Sequence, residues 1–410
     1  MPLSKDLVTR LKKDSQAIYE EVRDLRRHLH MYPDLSQKEE GTARFIMDFL
    51  DGIQIPYTYD QETHALVALL EGRDPGTQAI GFRADMDALP IQEKTGLPYA
   101  SKREGVMHAC GHDFHTAILL GLAKVLAPYR NQFFGSLKLF FQPAEETVGG
   151  AYDMIKKGCL KDPPVDRVFG LHMDSFLETG HISLLKGSIN AASCEFRVRV
   201  QGQSSHGAYP FQGIDPLPVA CEIVLAFNTL LSRRLPAVEP NLISVGVFNY
   251  GQKNNIISQE ATFSGIIRTH KLETRDFIKK EMKRLAQAIA YGHGARAYLD
   301  FEDSYPNLLN DEGLYERVRD LGLALLGQDR VKTEGAITMG TDDFAYFSHQ
   351  ARAFYFNLGG GHRDRAENFP LHSEYVHLNE ESLKTGVFFL AALALEELEA
   401  PLTKEDPCDK

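Results

Sequence analysis

Four short apolar runs, ALVALLEG (65–72), QAIGFRADMDAL (78–89), SLKLFFQP (136–143) and DRVFGLHM (166–173), are separated by helical stretches such as 116–126. Runs this apolar cannot keep one face in water. They predict strands buried on both faces, and hence a mainly parallel sheet covered by helices. Upstream, Leu7, Leu11, Ile18, Val22, Leu25 and Leu29 recur at spacings of three, four and seven. That spacing predicts one amphipathic helix from Ser4 to about Leu29.

The rhythm changes near Gly187. Phe196, Val198 and Val200 alternate with polar residues, as in a strand exposed on one face. The elements that follow read as helix 214–231, strand 241–250, strand 259–268, helix 272–291 and strand 295–302. That order, βαββαβ, is the split βαβ or ferredoxin-like sandwich, and its half-exposed sheet marks it as an α+β module inserted into the α/β domain. The pattern divides the chain into a first part of the main domain (1–187), an inserted domain (188–303), a second part (304–400) and a disordered tail (401–410). The second part carries a strand at 353–360 and a last helix from about Asn379 to Glu399.

Composition narrows the classes of function. A chain of 410 residues, 43% hydrophobic and 25% charged, has material for two cores. Its net charge is −11 and its basic pairs are scattered, which argues against nucleic acid as a partner. No apolar run approaches the roughly 18–20 residues that span a bilayer, and the start MPLSKDLVTRLKKDSQ lacks the apolar core of a secretory signal. Cys110, Cys159, Cys194, Cys221 and Cys408 are widely spaced and odd in number, so the expectation is no disulfide framework and a cytoplasmic protein.

Chemistry concentrates in MHACGHDFH, where Met107, His108, Cys110, His112, Asp113 and His115 precede an apolar helix. Thiolate, imidazole and carboxylate together suit borderline metals such as zinc, manganese or cobalt; the bland reading is a helix start with a buried cysteine. Glu145 and Glu146 follow Pro143 directly after an apolar strand. Adjacent glutamates are usually solvated surface, but ligands of α/β sheets gather beyond the carboxyl ends of strands. One carboxylate there can bind metal while its neighbour faces a substrate water. His172 ends another apolar strand and His372 lies in a polar loop; each alone is an ordinary core or surface histidine. Together the segments supply thiolate, imidazoles and two carboxylates.

The set RADMDALP, MHACGHDFH, FFQPAEE, FGLHM, GQSSHGAYP, GTDDFAYF and PLHSE, in this order, resembles the amidohydrolase branch of the aminoacylase and carboxypeptidase G metallopeptidase family. That branch includes hippurate hydrolases, indoleacetyl-amino-acid hydrolases and N-acetyldiaminopimelate deacetylases. The resemblance covers roughly residues 15–400. It implies Cys110, His112, Glu146, His172 and His372 as ligands of two divalent ions, manganese or zinc foremost and nickel or cobalt besides, with Cys110 bridging and Glu145 as general base. It further implies that Asp87 orients a ligand imidazole without itself, or Asp85, being a ligand. The inserted module matches the family's lid or dimerisation domain, which implies a homodimer or higher homo-oligomer. His206 then stabilises the oxyanion, and Asn255 and Arg268 contact substrate, Arg268 by a fork to a carboxylate.

Two departures from the family pattern bear on substrate preference rather than on the reaction. Glu374 stands where relatives commonly have Pro, and Asp342-Asp343 replaces a Glu-Asp pair.

The expected reaction is hydrolysis of a small N-acyl amino acid by metal-activated water, with no nucleic-acid or membrane partner. Its rivals are a metallo-dipeptidase or carboxypeptidase on small peptides, and a thiol amidase with Cys110 as nucleophile and His112 or His172 as base. A third is a metal-binding scaffold without turnover, against which the paired Glu145 and Glu146 argue, because a pure binder needs no base.

Overall fold

The computed structural model describes residues 3–76 and 78–399. They form two compact units, one of residues 3–187, 309–336 and 346–399, the other of 188–308 with 337–345. The predicted tail 401–410 and Cys408 lie outside the described residues.

The first unit is built on an eight-stranded mixed sheet. Its order is Tyr57–Tyr59, Leu66–Glu71, Ser136–Gln142, Ala79–Asp85, Val165–Glu178, Arg352–Gly361, Ile182–Ser183, Val331–Lys332. Ala79–Asp85 runs parallel to both of its neighbours, and Arg352–Gly361 runs parallel to Val165–Glu178. Antiparallel pairing is confined to the flanks. Every residue of Ala79–Asp85 and Ser136–Gln142 is buried, as strands covered on both faces must be. The helix His112–Leu126 is buried at every position except Lys124, and it packs on the equally apolar Ser382–Glu397. A helix apolar all round belongs inside a protein. Phe82, Phe141 and Phe169 fill the same core, each worth roughly 1.5–3 kcal/mol on burial.

The N-terminal helix differs from expectation. It is two helices, Lys5–Ala17 and Tyr19–Met31, broken at Ile18, whose backbone (φ −96°, ψ 4°) is not helical. The apolar face continues across the break, so spacing alone did not register it.

The second unit has a four-stranded antiparallel sheet in the order Asn241–Tyr250, Glu260–Thr269, Ala192–Gln201, Arg296–Asp303. Helices Pro216–Arg234 and Leu272–Gly292 pack on it through Val219, Ile223, Phe227, Ile278 and Met282. Ala192–Gln201 alternates buried and exposed positions, the pattern that makes one face polar and one apolar. Residues 337–345 join this unit through Thr338 N–H to the Ile189 carbonyl and Ala191 N–H to the Gly340 carbonyl. The hydrophobic pattern of the sequence did not separate that segment. Among the described residues no helix is long and apolar enough to cross a membrane.

Candidate metal centre

Four chain segments of the first unit bring the predicted donors together at the carboxyl ends of its parallel strands. Gly111 makes the first turn possible: its φ of +91° lies in the left-handed region, and a Cβ there would touch Met173 at 3.0 Å. Cys110 and His112 leave this glycine as the last loop residue and the first helical one. The second segment follows Gln142 through Ala144, held at φ +56°, to Glu145 and Glu146. The third is His172 on Val165–Glu178, two residues past the last pairing with Ala79–Asp85. His372, at φ +65°, comes from a loop whose backbone N–H donates to the Ala109 carbonyl. Positive φ at two residues with side chains costs of order 1–3 kcal/mol each and is characteristic of functional sites.

Distances within the cluster are uniform. His172 Nε2 is 3.5 Å from Cys110 Sγ, and His372 Nε2 lies 3.3 Å from Cys110 Sγ and 3.4 Å from Glu146 Oε1. His112 Nε2 is 3.9 Å from Glu146 Oε1. Donors around a tetrahedral ion at about 2.0–2.3 Å stand roughly 3.3–3.7 Å apart. His112 Nε2 is buried with no hydrogen-bond partner, a costly arrangement unless an ion takes its lone pair. Cys110, His112 and His172 form one ligand-competent group, Cys110, Glu146 and His372 a second, and His112, Glu145 and Glu146 a third. Cys110 belongs to two of these groups, and a thiolate, unlike an imidazole nitrogen, can bridge two neighbouring ions. The donor set therefore fits divalent metal ions.

The remaining ring nitrogens fix the tautomers. His112 Nδ1 donates to the Asp87 carbonyl at 2.9 Å and lies 3.2 Å from Asp87 Oδ1; His172 Nδ1 donates to the Met173 carbonyl at 2.8 Å. In both rings Nε2 is left as the ligand atom. Asp87 also accepts the Ser36 hydroxyl at 2.6 Å and the Glu146 N–H at 3.0 Å. Burial opposes ionisation of Asp87, but His112, Ser36 and that N–H hold its carboxyl below the usual range. Burial likewise works against Glu146, and His372 and His112 outweigh it. Burial pushes the Cys110 thiol well up, with Glu146 and Glu145 adding to it against the pull of His112. A nearby cation would reverse that direction.

Three residues of this neighbourhood have parts that the sequence reading did not assign. His115 is crowded into the same motif, yet both its nitrogens are engaged: Nδ1 donates to Asp85 at 2.5 Å and Nε2 accepts the Met173 N–H at 2.9 Å. It positions the strand that carries His172. Asp85 is fully buried between Arg83, His112 and His115, and against the cost of burial these hold its carboxyl well below the usual range. Glu39 accepts the Ala144 N–H at 2.8 Å on Oε1, clamping the strained turn before Glu145. Burial and nearby Asp87 push its pKa up to about 7.

The other predicted residues lie in the second unit. His206 is exposed on the short strand Ser205–His206, which pairs with Ile256–Ile257, and its Nδ1 accepts the Ala208 N–H at 3.1 Å. Asn255 is its neighbour, its carbonyl accepting the Gly207 N–H. Arg268 is half-buried on Glu260–Thr269, opposite Ser193, and its Nη1 is buried without a partner.

Comparison with known proteins agrees with this chemistry. The profile of peptidase family M20/M25/M40 matches residues 81–396. The chain is 35% identical over 396 residues to thermostable carboxypeptidase 1 of Saccharolobus solfataricus, covering 95% of this chain and 99% of the relative. It is 39% identical over 290 residues to an N-acyl-L-amino acid amidohydrolase of Geobacillus stearothermophilus, covering 70% and 78%. A Bacillus subtilis crystal structure described as a dinuclear metal binding peptidase of the M20 family superposes with a TM-score of 0.83 at 31% identity, covering 94% of this chain and 99% of that one. The chain therefore belongs to peptidase family M20/M25/M40, and it is a metal-dependent hydrolase acting on amide bonds.

Proposed function

We propose that this protein hydrolyses the amide bond of an N-acyl amino acid or similar small acyl amide, releasing a carboxylic acid and an amino acid. The observation that carries the reading is the convergence of Cys110, His112, Glu146, His172 and His372, with His112 Nε2 buried and without a hydrogen-bond partner. These five would hold two divalent ions, Cys110 shared between them; manganese or zinc suits the donors, nickel or cobalt also. When bound, the ions supply Lewis acidity that lowers the pKa of water and polarises the acyl carbonyl.

Glu145 takes the proton of the attacking water and returns it to the leaving amine, because expulsion of an amide anion is prohibitively difficult. Its place beside Glu146 and within the donor cluster supports that role. Asp87 holds His112 in the ligating tautomer. His206 donates to the developing oxyanion, with Asn255 alongside. Arg268 reads the substrate carboxylate; its half-buried guanidinium with a free Nη1 supports a fork to an anion. The second unit (the inserted domain, 188–303 by sequence pattern) would serve as lid and as dimerisation surface. Val247 and Phe248 are exposed on Asn241–Tyr250, an edge strand of its sheet, which supports a homodimer. Cys110, Cys159, Cys194 and Cys221 are all unpaired, in keeping with a reducing, cytoplasmic setting.

A second reading, small peptides as substrate, is favoured by the carboxypeptidase name of the Saccharolobus solfataricus relative. The two are separated by assaying N-acetyl, N-benzoyl and indoleacetyl amino acids beside dipeptides, on apoprotein refilled separately with manganese, zinc, cobalt and nickel. The proposal expects acyl amino acids to give the highest kcat/KM with at least one metal. Dipeptides turned over faster with every metal would favour the second reading, and full activity after chelation would restore the thiol amidase.

A further inference from the structure

Beyond the Cys110 cluster, the loop after Arg352–Gly361 holds another set of metal-type donors. His362 is the first residue past the strand, Glu367 ends the turn Arg365–Glu367, and His377 lies between His372 and the last helix. One donor atom from each lies within 4.8 Å of the others. The two imidazole rings have centroids 4.8 Å apart and are tilted by 47°. His362 Nδ1 stands 3.5 Å from Glu367 Oε2, too far for a good hydrogen bond. It is close to the roughly 3.3–3.6 Å between nitrogen and oxygen donors sharing one tetrahedral ion.

The surroundings hold these donors in place without an ion. His362 N–H donates to Asn368 Oδ1 at 2.7 Å, and Asn368 Nδ2 donates back to the His362 carbonyl at 3.1 Å. Asp364 caps the intervening turn by accepting the Ala366 N–H. His377 Nδ1 donates to the Tyr375 carbonyl at 3.1 Å, which leaves Nε2 as a lone-pair donor. The His362 nitrogen that faces Glu367 is Nδ1, which donates its lone pair when Nε2, buried without a hydrogen-bond partner, carries the proton. Two imidazoles ready to ligate and a carboxylate at ligand spacing have no role in the hydrolysis described above.

We propose that His362, Glu367 and His377 form a further divalent-cation site for a borderline metal of the zinc type. Three protein ligands leave a fourth position for water, and Glu367 is 56% exposed, so the ion would exchange with solvent. An ion there would tie the loop 361–368 to the segment 372–377, which carries His372, and so couple zinc supply to the placement of that residue.

The test is zinc loading of the full-length chain in zinc-buffered solution, with bound zinc counted by elemental analysis. His362→Gln, Glu367→Gln and His377→Gln are compared with wild type and with His293→Gln, a change at an exposed histidine elsewhere. Each of the first three should lose one zinc per chain, with affinity for that ion at least about tenfold weaker, while His293→Gln should match wild type. Loading curves of all five proteins that superimpose would overturn the site. Repeating the comparison in a Cys110→Ser, Glu146→Gln background separates this claim from the dinuclear reading: the one-ion difference must persist even where the central ions are lost. Should a variant fail to fold, zinc protection of His362 and His377 from diethyl pyrocarbonate in the wild-type chain decides. Protected rings support the site, and rings modified equally with and without zinc refute it.

Discussion

Asp87→Asn isolates the support beneath the metal centre from the ligands themselves. The Asp87 carboxylate is 1% exposed and faces three groups that can donate to it: His112 Nδ1–H, the Ser36 hydroxyl and the Glu146 N–H. An amide replaces one acceptor with a donor. Turned toward His112, its NH2 meets an N–H. Turned the other way, Ser36 can rotate to accept, but the Glu146 N–H loses its partner. Either orientation leaves one buried polar group unsatisfied, which costs about 1–3 kcal/mol of stability. Loss of an orienting partner typically weakens metal binding about 10–100-fold. Here the Asp87 backbone carbonyl still holds His112 Nδ1 at 2.9 Å, so the loss should fall near tenfold, about 1.4 kcal/mol. Competition against a fluorescent zinc chelator reads the affinity, and urea unfolding of the metal-free chain reads the stability. Affinity within twofold of wild type together with unchanged stability would refute the role given to Asp87.

Glu145→Gln should keep full metal content while kcat falls by about 10²–10⁴-fold, and Glu146→Gln should instead lower metal occupancy; elemental analysis beside kcat checks both, and a swap of outcomes would reverse their roles. His206→Ala should reduce kcat by about 10²–10³-fold with metal content intact. If a partner subunit supplies His206, mixed dimers of His206→Ala and Glu145→Gln regain activity, and mixed dimers as inactive as the parents refute that sharing. Glu39, held up at about 7 in the fold against 4.5 for a free carboxyl, favours the protonated folded chain. Its stabilisation is therefore full below about pH 4.5 and is lost as pH rises to about 7, amounting to about 3 kcal/mol. Unfolding free energies of the metal-free chain from pH 4.5 to 8 should fall more steeply in wild type than in Glu39→Gln, and equal slopes would exclude this titration.

The buried strands were legible because apolar residues dominate them despite Arg83, Lys138 and Arg167, and the second unit's strands because Phe196, Val198 and Val200 alternate with polar residues. The segments that carry Cys110, His112, Glu146, His172 and His372 stood out because thiolate, imidazole and carboxylate recur in them, but it was the resemblance to the metallopeptidase family that singled out these five; the structure brings all five together. What stayed hidden depends on pairing rather than residue type. His115 looks like a ligand in sequence, and only its two hydrogen bonds, to Asp85 and from Met173, show that it has no lone pair to give. Glu39 reads as half of a surface Glu-Glu pair with Glu40; its full burial and its hold on Ala144 follow from tertiary packing. The left-handed backbone of Ala144 and His372 has no glycine to announce it. Nor does an apolar period register a break of one residue, such as that at Ile18.

The central claim is that five side chains from four segments hold two metal ions. Crystals of manganese-loaded protein, measured at the manganese absorption edge, test it directly. The account predicts two anomalous peaks, both within ligand reach of Cys110, with His112, Glu146, His172 and His372 completing the shells at roughly 2.0–2.3 Å. A single peak, or peaks that leave Cys110 and Glu146 outside the coordination shell, would contradict it.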